Sequence, residues 1–154
     1  WPIGSGKGFK GVYNRNTREV TTFADTLKGT KEGTEKHISV DDPALIEEIG
    51  QEAFAECSSL SSVSLPVSLK QIGIGAFYGC SSLSSVNVPD SVTTISDEAF
   101  ANCTALKSVA IPASVTQIAD DAFNGCHSLT IICSEGSAAH NFAVNNLINY
   151  TIIN

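Results

Sequence analysis

At 154 residues and 42% apolar composition, the chain is long enough for one domain with a real core, because a chain of this size buries roughly 68 to 70% of its unfolded surface. Its net charge of -7 is unevenly spread: residues 1 to 36 carry seven Lys or Arg against four acids, and the remainder carries two against twelve. An acidic body repels phosphate backbones, which excludes nucleic acid as a natural partner, and no apolar run reaches the length of about 18 residues needed for a membrane span.

The start at Trp1-Pro2 shows no basic region followed by an apolar one, so any signal peptide is expected to have been removed, and secretion has to be argued from other features. The first element is "FKGVYNRNTREVTTF", two alternating runs around Asn14-Arg15-Asn16 that read as a β-hairpin. Thr26 to Lys36, rich in Gly, Thr and Lys, reads as a linker. Residues 1–36 are thus expected to be an N-terminal cap, hairpin and linker. Trp1, Phe9, Tyr13 and Phe23 cluster there with the basic residues. They are a candidate accessory site, but the simpler reading is a cap packing its aromatics on the first coil.

Next comes a repeat. Phe54, Phe77, Phe100 and Phe123 stand 23 residues apart, as do Cys57, Cys80, Cys103 and Cys126. The same step relates Ile49, Ile72, Ile95 and Ile118, and also Leu60, Leu83, Leu106 and Leu129. Upstream, Val40, Pro43 and Ile46 keep the phase while Asp42 replaces the inward Leu65, which marks a degenerate first coil. Self-similarity at such a period is the signature of a solenoid.

Each coil can be read internally. In "LKSVAIP", Leu106, Val109 and Ile111 point inward and Val109-Ala110-Ile111 alternates as a short strand, which Pro112 ends because it offers no N–H to a ladder. In "SVTQI", Val115 and Ile118 return to the core along a second extended segment. "DDAFNGC" is expected to turn the chain with a helical or 3₁₀ piece, its acids suited to a helix N-terminus. One coil cannot bury its apolar set alone, whereas stacked neighbours make a continuous core. The array is expected over residues 37–134. Beyond it, "SAAHNFAVNNL" has an amphipathic helical pattern and "INYTII" reads as a closing strand, so residues 135–154 are expected to form a C-terminal cap.

The repeat in "IPASVTQIADDAFNGCHSL" and "VPDSVTTISDEAFANCTALKSVAI" resembles the BspA-like, or Treponema-type, leucine-rich repeats of bacterial surface proteins. The final "IICSEGSAAHNFAVNNLINYTII" is similar to the closing element of such arrays, with Gly136-Ser137-Ala138-Ala139 and Ala143 in matching places. The resemblance covers residues 38 to 154. It implies a leucine-rich repeat solenoid with a parallel strand face. It also implies a secreted or cell-surface protein, and a protein partner such as host extracellular matrix (fibronectin, fibrinogen) or another surface protein.

Candidate chemistry is sparse. Neighbouring coils place Cys57, Cys80, Cys103 and Cys126 about 4.8 Å apart, with Cβ atoms outside the disulfide range of about 3.5 to 4.5 Å. They read as buried thiols in a structural ladder beside Phe54, Phe77, Phe100 and Phe123. Cys133 stands apart: strict phase points it outward, a slip of one residue points it inward, and if any thiol is reactive it is this one. Cys126 and His127 are adjacent on a turn and so diverge, zinc-type Cys or His spacing does not occur, and "GSGKG" has Trp1 and Gly8 where a phosphate loop needs Gly and Ser or Thr. No enzyme, cofactor, catalytic or metal site is therefore expected. The pairs Asp97-Glu98 and Asp120-Asp121, echoed by Gln51-Glu52, could line up for calcium, but Ile74-Gly75 interrupts them and capping of helical turns is the simpler reading.

The expected interaction surface is the outward strand face: Ser62, Ser64, Ser85, Asn87, Ser108 and Ala110, with Ser39 and Asp41 from the degenerate coil. It is flat and polar but lacks the Trp, Tyr and Arg of binding hot spots. The sequence thus points to a protein-binding or adhesion module, with a non-binding scaffold or stalk segment of a larger surface protein as the alternative.

Overall fold

The structure, a computed structural model, describes residues 47–153 together with the strand backbones at 2–3, 11–14, 19–23 and 35–39. Strands β1 (Pro2–Ile3), β2 (Gly11–Asn14), β3 (Glu19–Phe23) and β4 (Glu35–Ser39) form an antiparallel sheet in that order. β2 and β3 pair from Gly11↔Thr22 to Asn14↔Glu19, the expected hairpin, with residues 15–18 outside the described residues. Most of the linker read over Thr26 to Lys36 also lies outside them, but Glu35 and Lys36 open β4, which runs across residues 36 and 37. Residues 40–46 of the degenerate coil, residues 4–8, and Trp1 and Phe9 lie outside as well.

From residue 47 the chain winds as a three-sided solenoid. One side is the parallel sheet of β5 (Glu48–Ile49), β6 (Gln71–Ile72), β8 (Thr94–Ile95) and β10 (Gln117–Ile118), paired Ile49↔Ile72↔Ile95↔Ile118. A second side is the parallel sheet of β7 (Ser85–Asn87), β9 (Ser108–Ala110), β11 (Thr130–Cys133) and β12 (Asn149–Ile152). The alternation of the sequence becomes burial here: Leu106, Val109 and Ile111 are fully inside while Ser108 and Ala110 face out. Both rows of inward side chains close on one core running from Ile49 to Ala143.

The third side corrects the expectation of a helical or 3₁₀ piece, because "DDAFNGC" and its equivalents are turns. Two residues occupy the left-handed region in each of the turns around Phe77 and Phe100, at Gly75 (φ 58°) and Gly79 (φ 68°) and at Glu98 (φ 53°) and Asn102 (φ 59°), and one, Gly125 (φ 79°), in "DDAFNGC". That conformation cannot propagate a right-handed helix. Alternate amides instead bond forward to the next coil, Phe77 N to Ala99 O and Phe100 N to Ala122 O, both 2.8 Å, while those between them close tight turns, as Ala101 N does on Glu98 O at 3.0 Å. Bonding between coils has displaced bonding within a helix. The acids consequently cap no helix. The Asp121 carboxylate accepts a hydrogen bond from the Glu98 N–H at 3.2 Å.

Inside this side the phenylalanines stack. Ring centroids of Phe54, Phe77, Phe100 and Phe123 are 5.1, 5.2 and 5.3 Å apart in succession, with planes within 5° of parallel. Phe77 and Phe100 are fully buried and Phe54, at the start of the described coils, is half-buried. Full burial of such a side chain contributes about 1.5–3 kcal/mol, and stacked rings add about 0.5–1.5 kcal/mol.

The C-terminal end is closed by helix α1 (Ala138–Asn145) and by β12. Ser137 is the N-cap, its hydroxyl accepting from the His140 N–H at 3.2 Å. Ala139, Phe142 and Ala143 form the buried face of α1. The His140 ring rests on Tyr150 with centroids 4.8 Å apart, joining α1 to β12.

Candidate functional site

The outward strand face is built by register. Ser85 pairs with Ser108 and Ser108 with Thr130, which pairs in turn with Asn149 of β12. A parallel row runs Asn87, Ala110, Ile132, Thr151. Adjacent strands place these side chains about 4.8 Å apart, and the two rows of one strand about 6.6 Å apart. Ser85, Asn87, Asn149 and Thr151 are exposed, whereas Ser108, Ala110, Thr130 and Ile132 are half-buried by their neighbours. Ser62 and Ser64 are exposed too, but their segment forms no strand, so only Ser85, Asn87, Ser108 and Ala110 of the six lie in the sheet. The side chains of Ser85, Asn87 and Ser108 make no hydrogen bond to other described residues. The opposite sheet differs. There the Thr93 hydroxyl donates to Lys70 O at 3.3 Å, Thr116 to Thr93 O at 3.4 Å, and Gln71 Nε2 to Ser96 Oγ at 3.3 Å.

Thr130, Ile132, Asn149 and Thr151 were not in the face read from the sequence. The signal was a change of step: Ile131 pairs with Val109, 22 residues before it rather than 23. A coil one residue short flips every side chain after it. The same slip decides Cys133, which is fully buried. Burial raises its thiol pKa, with a hydrogen bond to the Ser137 side chain opposing. The thiol singled out for reactivity is therefore enclosed.

The other cysteines divide. Cys80, Cys103 and Cys126 are buried, and each thiol donates to a phenylalanine carbonyl one coil back, at 3.1 Å to Phe54, Phe77 and Phe100 respectively. Burial pushes their pKa values up to about 11, 12 and 11. At neutral pH they stay protonated, and a protonated thiol is a poor nucleophile. Cys57 departs from the buried reading: it is exposed, because the described coils begin just before it and none covers that rung. All five thiols are free. Cys126 is buried while His127 is exposed, so the pair does not converge. Among the described residues no group of three or more His, Cys, Asp or Glu is placed to hold a metal ion, and no helix is long and apolar enough to cross a membrane.

A stacked array offering a continuous lateral surface is the architecture of repeat proteins that present binding faces. Comparison with known proteins bears on the repeat and the fold. The chain resembles a T. pallidum leucine rich repeat protein at 40% identity, over 58% of this chain and 41% of that one, with a TM-score of 0.54. A leucine rich cell surface protein from Faecalibacterium prausnitzii A2-165 matches at 27% identity over 94% of this chain and 44% of that one, with a TM-score of 0.51. A leucine-rich repeat protein from Bacteroides ovatus, 24% identical over 94% of this chain and 40% of that one, shares the fold with a TM-score of 0.53. Peptide chain release factor 3 of Synechocystis sp. is 40% identical over 57 residues, 36% of this chain and 10% of that protein. The chain thus spans less than half of each related structure and about a tenth of that curated relative. A family model, the BspA type leucine rich repeat region, matches residues 32–149 in six copies. The chain belongs to the BspA type leucine rich repeat family.

Proposed function

We propose that this chain is a protein-binding module of a bacterial surface protein, acting by adhesion rather than by catalysis. The observation that carries the reading is the uncharged strand face, where Ser85, Asn87 and Ser108 stand in register with hydrogen-bonding groups that no other described residue uses. Such a face suits a partner that supplies donors and acceptors across several strands. The cell-surface description of the F. prausnitzii relative supports a surface location, and host extracellular matrix or another surface protein is the partner class. Ser62 and Ser64 extend the face on one side, with Thr130 and Asn149 on the other.

The test is solid-phase binding to immobilised fibronectin and fibrinogen, comparing the chain with a Ser85→Lys/Ser108→Lys double variant. Two like charges about 4.8 Å apart block close approach without touching the core. Saturable binding that the double variant loses at unchanged Tm supports the reading. Equal binding by both proteins overturns the assignment of the face.

The absence of Trp, Arg or Phe from the described strand face favours a second reading, a scaffold segment that holds other parts of a surface protein. A chain that binds neither matrix protein would favour it.

A further inference from the structure

The turn side carries a hydrogen-bonding column that runs in one direction. Glu52, Phe54 and Glu56 donate to Ile74 O, Ala76 O and Tyr78 O; Phe77 and Gly79 donate to Ala99 O and Ala101 O; Phe100 and Asn102 donate to Ala122 O and Asn124 O. In every coil the amides of alternate residues thus find alternate carbonyls of the coil that follows. From Phe123 onward the last such turn repeats the geometry, with Phe123 stacked 5° from parallel on Phe100 and Gly125 left-handed at φ 79°, as Asn102 is at 59°. Its amides at Phe123 and Gly125 therefore point on toward the C-terminal end, where α1 follows in place of another such turn and none of the described residues accepts from them. The cap does not substitute. Phe142 covers the Phe123 ring, tilted by 60°, but offers that column no carbonyl.

These two amides line a cleft of about 280 Å³ between the last coil and the end of α1. Buried polar groups are ordinarily paired, and this volume holds several molecules of water, at about 30 Å³ each, or a few residues of chain. The lining carries one formal charge, the Asp120 carboxylate, which disfavours an anionic occupant, while the two amides, being donors, disfavour a cationic one. Leu147, 94% exposed at the rim, adds apolar surface.

We propose that this cleft is a second binding site, meeting the strand face only at Asn149, and that it takes a neutral extended peptide segment of a partner. Two carbonyls of that segment, two residues apart, accept from Phe123 N–H and Gly125 N–H as Ala122 O and Asn124 O accept from the coil before. Its side chains lie against Leu147. This is main-chain recognition by an unpaired edge, the mode by which peptides add to sheets, here performed by a turn column.

The experiment is amide NMR on the isotope-labelled chain. In the free protein, hydrogen exchange at Phe123 and Gly125 is expected to be at least about ten-fold faster than at Phe100 and Asn102, whose amides are bonded between coils. Titration with the capped tripeptide acetyl-Ala-Leu-Ala-amide to millimolar concentration is expected to shift the Phe123 and Gly125 amide protons downfield and saturably. Ser85 and Ser108 on the strand face should stay still. Exchange at Phe123 and Gly125 as slow as at Phe100 would overturn the proposal, since the donors would already be satisfied. So would a titration that moves neither amide, or one in which acetate moves them and the peptide does not, which would make the cleft an anion site.

Discussion

Phe142 of the terminal helix lies against Phe123 with ring centroids 5.9 Å apart and planes tilted by 60°, ending a column whose other members stack within 5° of parallel. The stack is terminated by a tilted ring, at a centroid distance within the favoured range for aromatic pairs, on a side chain that is itself 7% exposed. Phe142→Ala is expected to cost about 3–5 kcal/mol and to open the C-terminal end first. Chemical denaturation gives the magnitude. Hydrogen exchange should show protection lost in α1 and the last coil before the coils around Phe77.

In the middle of the column, Phe100 is fully buried between Phe77 and Phe123. Phe100→Ala removes two ring contacts and leaves a cavity with a neighbouring coil on each side, which limits collapse. A loss of about 3–5 kcal/mol is expected. A melting temperature equal to that of the unsubstituted chain would be incompatible with the stacked core.

The buried thiols make stability fall at alkaline pH. Cys80, Cys103 and Cys126 are held protonated up to about 11, 12 and 11 by burial, against an ordinary value of 9.0. Above pH 9 the unfolded chain therefore sheds thiol protons that the folded chain keeps. The stabilisation is fully present below about pH 9 and is lost as pH rises through 11 to 12, each thiol adding up to about 1.4 kcal/mol per pH unit to the decline. The comparison that isolates one thiol is with Cys103→Ala, whose stability should fall less steeply with pH by about that amount.

Exposure separates one thiol from the other four. Cys57 is exposed, whereas Cys80, Cys103, Cys126 and Cys133 are buried. A thiol reagent added to the native chain is expected to label Cys57 promptly and the others only on unfolding. Mass spectrometry of the labelled peptides reads the result, and fast labelling of Cys133 would contradict its place inside the last coil.

Glu98 occupies a left-handed conformation (φ 53°) that Gly75 supplies one coil earlier (φ 58°). The left-handed region costs a non-glycine residue roughly 1–2 kcal/mol, partly offset by the greater entropy that glycine loses on folding, about 0.5–1 kcal/mol. Glu98→Gly is thus expected to stabilise the chain by about 0.5–1 kcal/mol. Its thermal midpoint should rise with no change in the strand sheets by circular dichroism.

The repeat period, the inward residues and the coil-by-coil stack were legible in the sequence, because every copy faces the same packing problem and answers it with the same residue at the same step. Phe77, Cys80, Leu83 and Val86 could be assigned to the core from their spacing alone, and all are buried. The closing helix and strand were legible from their patterns for the same reason. Three features depended on the tertiary structure. The turn side is not helical, since the choice between an amide bonding within its own turn and bonding to the next coil is made only when coils stack, as Phe100 N does on Ala122 O. Cys133 faces inward because β11 pairs 22 residues after β9, a slip set by which strand register buries Ile131. The direction of the turn column, and hence the amides of Phe123 and Gly125 that find no acceptor among the described residues, belongs to no single repeat, because only the end of a column can leave a donor without its successor.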